Sequence, residues 1–135
     1  MEHWHFKVYR GENGESQFQT WYDRQENGVK GQFDGQLFAI AINPNAPETD
    51  FLRLPGYPGI VEIVIPIQLS YGEIQVMPIG FWQPDSRDFI IVQCSEMVGD
   101  AYDPPEYKAL ECKQAWELRK GTIYEHTADE SDDEE

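Results

Sequence analysis

This sequence predicts an α+β domain with a mainly antiparallel sheet, and three observations carry that expectation. Helical periodicity is confined to residues 16–42 and to the stretch after Asp103, whereas β-branched, apolar runs fill residues 60–96. Helices and strands are therefore segregated along the chain, as in α+β architectures. Between the apolar runs lie only Ser70-Tyr71-Gly72 and Gln83-Pro84-Asp85-Ser86-Arg87, links short enough for antiparallel hairpins. The third observation is the turn Arg53-Leu54-Pro55-Gly56-Tyr57-Pro58-Gly59, which feeds straight into Ile60-Val61-Glu62-Ile63-Val64-Ile65. Its prolines bar helix and its glycines can take positive φ, so the sheet begins where helical sequence stops.

The elements follow in order. Residues 3–10 alternate, with Trp4, Phe6 and Val8 on one side and His3, His5, Lys7 and Tyr9 on the other, as in a half-buried opening strand. After the turn-rich Arg10–Glu15, Ser16 offers an N-cap with Gln19 three residues on, a capping-box pattern. Phe18, Trp21 and Tyr22 share one side of the short helix that follows, which Asn27-Gly28 should end. A second helix is expected from about Val29 to Ile42, its stripe being Val29, Phe33, Leu37 and Ile40. Gly31 and Gly35 lie on its far side. Asn43–Asp50 is expected as a surface loop. Three strands then span about 60–69, 73–82 and 88–96, with Pro66 and Pro78 pointing to bulges or an edge. A last helix opens at Asp103-Pro104-Pro105 and stops at Gly121, with Tyr107, Leu110, Ala115 and Leu118 on its core face and Cys112 and Trp116 projecting elsewhere.

Length and composition bound the rest. The 135 residues suit one domain over residues 1–127, and 40% hydrophobic with 13% aromatic content supports a packed core. No apolar run approaches the roughly 20 residues of a membrane span, and Met1-Glu2-His3-Trp4-His5 lacks a signal-peptide pattern. A cytoplasmic protein is expected. Cys94 and Cys112 are then expected as reduced, buried thiols, a disulfide being the alternative. The formal charge is −15, and Asp129–Glu135 carries six acids, an expected disordered tail over residues 128–135. Without those six, nineteen acids still face ten bases, so the body should repel nucleic acid unless its bases gather on one face. DNA is not an expected partner. A basic partner fits the charge.

Several stretches together carry a resemblance: Gln17–Ile42 with Trp21-Tyr22-Asp23, the turn-and-strand segment from Arg53 to Val64, Gly72-Glu73-Ile74-Gln75-Val76-Met77-Pro78, and the proline-introduced helix Pro104–Lys120. In this order they resemble the RelE/HigB superfamily of toxins from type II toxin–antitoxin modules, the phage-related HigB-like branch above all. The resemblance implies an opening strand, a helical hairpin, a three-to-four-stranded sheet and a C-terminal helix. It also implies cleavage of ribosome-bound messenger RNA by basic and polar side chains on the sheet, held in check by an antitoxin. This chain departs from that pattern where the chemistry should sit. Val64, a position near Gln75, and Glu96-Met97 stand where the resemblance places basic residues, and no histidine occurs between His5 and His126.

Two classes of function follow. One is an RNA-cleaving toxin, with Arg53, Arg87 and Gln75 as candidate catalytic residues. The other is a noncatalytic interaction protein on the same scaffold, binding a protein partner or forming homo-oligomers. Tyr57, Tyr71, Trp82, Trp116, Lys108 and Lys113 are the candidate binding residues, core packing being the alternative for the two tryptophans. The bases Arg53, Arg87, Lys108 and Lys113 are expected as scattered solvated charges, the alternative being that they gather with Tyr57 and Tyr71 into one RNA-facing cluster. His3 and His5 share a strand face but lack a nearby third ligand, so neither a metal nor another cofactor is expected. Asp85, Asp88 and Glu96 are explained by a turn and a solvated face.

Overall fold

The computed structural model describes residues 3–53, 56–83, 86–98, 101–102 and 106–126, with side chains placed for all of these except 98, 101, 102 and 106–109. Its elements run β1 (His5–Arg10), α1 (Gln17–Asp23), α2 (Asn27–Ala41), α3 (Ala46–Thr49), β2 (Leu52–Arg53), β3 (Val61–Glu62), β4 (Ile65–Leu69), β5 (Gly72–Gln83), β6 (Asp88–Val98), β7 (Ala101–Tyr102), α4 (Glu106–Glu117) and β8 (Thr122–Glu125). The fold is α+β, and its hairpins β4–β5 and β5–β6 are antiparallel as expected.

The sheet is larger than the expected three or four strands. Eight strands join it, ordered β2-β3-β5-β6-β1-β8, with β4 on β5 and β7 on β6. The opening strand enters it parallel to β6, from His5↔Asp88 to Val8↔Ile91. On its other side β8 runs antiparallel, pairing Val8 with Tyr124. That last strand was not foreseen, although Thr122-Ile123-Tyr124 is a β-favouring run directly after Gly121.

Both prolines in strands sit where a missing N–H does no harm. Pro66 lies on β4, a strand paired only with β5. Pro78 faces the interruption between β3 and β4, where Ile63 N–H donates to its carbonyl at 3.0 Å. Gly56 and Gly59 take φ of 84° and 80°, the left-handed values their turn needs. Gly80 marks a β-bulge at which the register steps from Ile79↔Gln93 to Gly80↔Ile91, and a Cβ there would fall on the Ile90 carbonyl.

Two hydrophobic clusters cover the sheet. The larger joins α1 and α2 (Phe18, Tyr22, Val29, Phe33, Leu37 and Ile40) to Phe6, Val8, Ile65, Ile67, Val76, Phe89 and Ile91. The smaller packs α4 onto Tyr9, Ile60, Ile79, Phe81, Ile90 and Val92. All four residues of the expected α2 stripe are buried. Gly31 and Gly35 have nothing within 4 Å of a would-be Cβ and so admit no neighbouring backbone.

Other expectations are corrected. Asn27-Gly28 opens α2 instead of closing α1, because α1 already ends at Asp23 and Arg24 caps it. The 43–50 loop holds a one-turn helix whose Ala46 is fully buried, anchored where Asp50 and Phe51 N–H both donate to its carbonyl. On α4 the core face is Cys112, Ala115 and Trp116, spaced i, i+3, i+4, together with Leu110. Leu118 lies beyond the helix end and is 68% exposed, as Arg119 takes a φ of 63° and turns the chain away. Tyr9 is buried too, so β1 is covered on both faces near its end rather than half-buried. Cys94 and Cys112 form no disulfide, but both are half-buried rather than buried. Asp103-Pro104-Pro105, the Tyr107 and Lys108 side chains, Asp85 and the acidic tail lie outside the described residues. Among those described, no helix is long and apolar enough to cross a membrane.

Candidate functional site

The capping serine shows how local sequence begins to build the surface. Ser16 accepts from Gln19 N–H at 3.1 Å, which frees the Gln19 side chain to accept from Tyr124 of β8 at 2.9 Å. Only half of the capping box forms; the other half ties α1 to the last strand. One turn on, Trp21 Nε1 donates to Glu96 of β6 at 2.7 Å. Glu96, one of the positions where a basic residue was expected, is thereby a fixed acceptor at the junction of two open clefts of about 670 and 480 Å³ that share Arg24, Gln25 and Glu96. Gln75 pairs in register with Pro66 and Met97, and Val64 is 37% exposed in the gap between β3 and β4. No arginine or lysine occupies these sheet positions.

Among the described residues the candidate bases do not gather into one cluster: Arg53 and Arg87 stand at the larger core and Lys113 on the α4 face, while the Lys108 side chain lies outside the described residues. Arg53 and Arg87 meet at an aromatic stack. Trp4 and Trp82 lie nearly parallel, 14° apart with centroids 5.4 Å apart, and Phe51 packs edge-on against both. The Arg53 guanidinium sits over Trp82 at 5.4 Å and that of Arg87 over Trp4 at 5.7 Å. Trp82 is thus half-buried against the larger core, with one cation, Arg53, over its ring. Lys113 instead belongs with the α4 face: its Cε would lie 2.8 Å from a Cβ at Gly59, and its amine pairs with Glu117 at 2.6 Å. Tyr57 and Trp116 pack in that same cluster, with Arg119 over the Trp116 ring at 5.7 Å. Tyr71 stands apart at the β4–β5 tip, 81% exposed.

Three further bases are similarly engaged. Lys7 pairs with Asp88 at 3.2 Å, so Asp88 is a buried, paired carboxylate rather than part of a solvated face. Arg10 covers Tyr124 at 4.6 Å and Lys30 covers Tyr22 at 5.3 Å. Seven described cations are thus each committed to a separate ring or carboxylate.

One polar cluster was missed from the sequence. His126 Nε2 lies 2.7 Å from Asp34 Oδ1, and Tyr22 donates its hydroxyl to Asp34 Oδ2 at 2.5 Å. The imidazole stands edge-on to Phe18 and Tyr22, and its backbone N–H donates to Phe6 at 2.9 Å. Buried polar groups need such partners. The network binds α1, α2 and the chain after β8 into one unit. Its members are 12 and 92 residues apart, a separation no motif spans. It borders a cleft of about 220 Å³ between α2, β1 and β8.

The thiol of Cys94 is pushed well above its ordinary range by burial, and further by the neighbouring Glu96 carboxylate. A thiol half-buried against the core and so shifted holds its proton, which disfavours nucleophilic use. His3 and His5 are exposed, and no group of three or more His, Cys, Asp or Glu able to hold a metal exists among the described residues. Compared with known protein families, curated proteins and solved structures, the chain matches none.

Proposed function

We propose that this chain is a RelE/HigB-like toxin-fold protein of toxin–antitoxin or phage origin that has given up RNA cleavage and acts by binding another protein. The order of strand, two helices, hairpin-built sheet and C-terminal helix supports the fold reading. The observation that carries the functional reading is Glu96. A carboxylate held by Trp21 stands at 2.7 Å where cleavage would require a cation to neutralise phosphate. A negative charge there repels the substrate backbone, and Val64 and Gln75 offer nothing to offset it. With −15 overall, the surface favours a basic partner over RNA.

A second reading rests on one specific feature. Arg53 and Arg87 converge on the Trp4–Trp82 stack, and cations beside aromatic rings also suit single-stranded RNA. On that reading the chain is a ribosome-dependent messenger RNA endoribonuclease that an antitoxin silences. The two readings part in a simple experiment. The full chain is induced in cells without any antitoxin gene, and growth and messenger RNA integrity are followed. The interaction reading expects continued growth and intact transcripts; arrest with cleaved messages, relieved by Arg53→Ala or Arg87→Ala, would establish the nuclease instead.

A further inference from the structure

Helix α2 turns its polar side chains from Lys30 to Gln36 inward to the fold. Lys30 lies over the Tyr22 ring, Asp34 holds Tyr22 and His126, and Gln32 and Gln36 hold the Gln68 and Pro66 backbone. What faces outward, opposite the buried Val29, Phe33, Leu37 and Ile40, is Gly28, Gly31, Gly35, Phe38, Ala39 and Ile42. None of the six carries a polar side chain, although the solvent side of a surface helix is ordinarily charged. Phe38 is 65% and Ile42 41% exposed, and a Cβ at Gly28, Gly31 or Gly35 would find nothing within 4 Å. Gly31 and Gly35 each cost the helix about 1 kcal/mol relative to alanine. Nothing among the described residues uses the space they leave. Gly28, Gly31, Gly35, Phe38 and Ile42 follow one another at three, four, three and four residues, the spacing of a seam between two helices.

We infer that this seam joins α2 to the α2 of a second copy of the chain, antiparallel about a two-fold axis. The seam is small at one end and large at the other. A helix of the same pattern running the other way fits it throughout, and the chain itself carries that pattern. In antiparallel register Phe38 lies on the partner's Gly35 and Ile42 on the partner's Gly31, and the axis repeats both contacts in reverse. Each large side chain thus enters a hole that a glycine leaves. A parallel pair would set Phe38 on Phe38 and leave the glycine half hollow, forfeiting its contacts. Charge does not oppose the contact, because the net −15 is carried off the seam and salt screens it beyond about 8 Å at physiological ionic strength. The 15 residues of α2 give roughly 22 Å of helix. A contact of that length belongs with the small, transient interfaces below about 1,200 Å², so the dimer is reversible. The inference is separate from the interaction reading above, since it concerns self-association whether or not the chain cuts RNA.

The test is sedimentation equilibrium of the full chain across the micromolar range into the millimolar, with concentration-dependent amide shifts in NMR spectra to locate the contact. The expected result is a reversible dimer whose shifts centre on residues 27–42. Phe38→Ser should weaken it about tenfold. Gly35→Lys should abolish it, because the new side chain fills the hole the partner's Phe38 needs. That variant also lowers the net negative charge, so association governed by overall repulsion would tighten where the seam predicts loss. Tyr71→Ser at the remote hairpin tip should change nothing. Both seam positions are exposed and lysine is a better helix former than glycine, so the variants should fold, which thermal melts would show. A chain that stays monomeric at millimolar concentration would overturn the assignment. So would a dimer that Phe38→Ser and Gly35→Lys leave intact, or shifts confined to other surfaces. A monomer whose residues 27–42 shift only on adding a synthetic leucine–alanine helix would make a helix of another protein the occupant, and would overturn it too. None of these outcomes touches the interaction reading, which stands or falls on growth and messenger RNA integrity.

Discussion

Gln32 holds Gln68 by both ends of its amide. Its Nε2 donates to the Gln68 carbonyl and its Oε1 accepts from the Gln68 N–H, each at 2.8 Å. Gln36, one turn on, donates to the Pro66 carbonyl at 2.7 Å. Helix α2 thus lends β4 the hydrogen bonds a further strand would supply, and the sheet edge is closed to other chains. Gln32→Leu should cost about 1 kcal/mol, since water replaces part of each exposed bond. The double variant with Gln36→Leu should in addition aggregate on storage. Urea denaturation and light scattering check both, and an unchanged double variant would mean the amides do not guard the edge.

Glycines in two elements should respond oppositely to alanine. At Gly80 the added Cβ meets the Ile90 backbone, which cannot move without breaking the β5–β6 ladder. Gly80→Ala should therefore cost more than about 3 kcal/mol and yield little soluble protein. Gly35→Ala adds its Cβ in open space on a helix and should stabilise by about 0.5–1 kcal/mol. Thermal melts of the two variants give the comparison.

The Tyr22–Asp34–His126 network should be structural. Asp34→Ala leaves two buried donors without their acceptor and should cost about 1–3 kcal/mol. Hydrogen exchange should quicken first at Tyr124 and Glu125, the strand that His126 anchors. Equal acceleration across the whole sheet would show instead that β8 does not open separately.

Alkaline pH should destabilise the fold through Cys94. Its folded-state pKa is raised by burial and by Glu96, so the folded chain holds that proton more tightly than the unfolded one. The contribution is complete below the ordinary thiol value of about 8.5 and is lost as pH climbs above it. Cys94→Ala should flatten the decline of stability between about pH 8.5 and pH 10. A variant with an unaltered slope would show that Cys94 does not titrate in the fold.

The part of this structure written in local patterns was legible. The α2 stripe, the opening strand, the Gly56–Gly59 turn and the two hairpins each follow from periodicity or turn chemistry within a dozen residues. What escaped is long-range. The pairing of β1 with β6 joins residues more than 80 positions apart, and nothing in either strand names the other. The Trp4–Trp82 stack and its arginines are assembled by that same pairing, which is why Arg53 and Arg87 read as free surface cations. On α4 the charged residues between Tyr107 and Leu118 suggested one apolar face, whereas the sheet accepts the neighbouring face that carries Cys112 and Trp116. The candidate site suffered most, because Glu96 and His126 acquire their meaning only from partners on other elements.

The central claim is that this fold does not cut RNA, and the most direct measurement is on translating ribosomes. Purified full-length chain would be added to ribosomes stalled on a defined message, and the transcript mapped by primer extension. The account predicts an uncut message at every concentration of protein, with Glu96→Arg and Gln75→Arg together needed before any cleavage emerges. Cleavage by the unaltered chain, lost on Arg53→Ala or Arg87→Ala, would contradict it and make the tryptophan-bound arginines the catalytic pair.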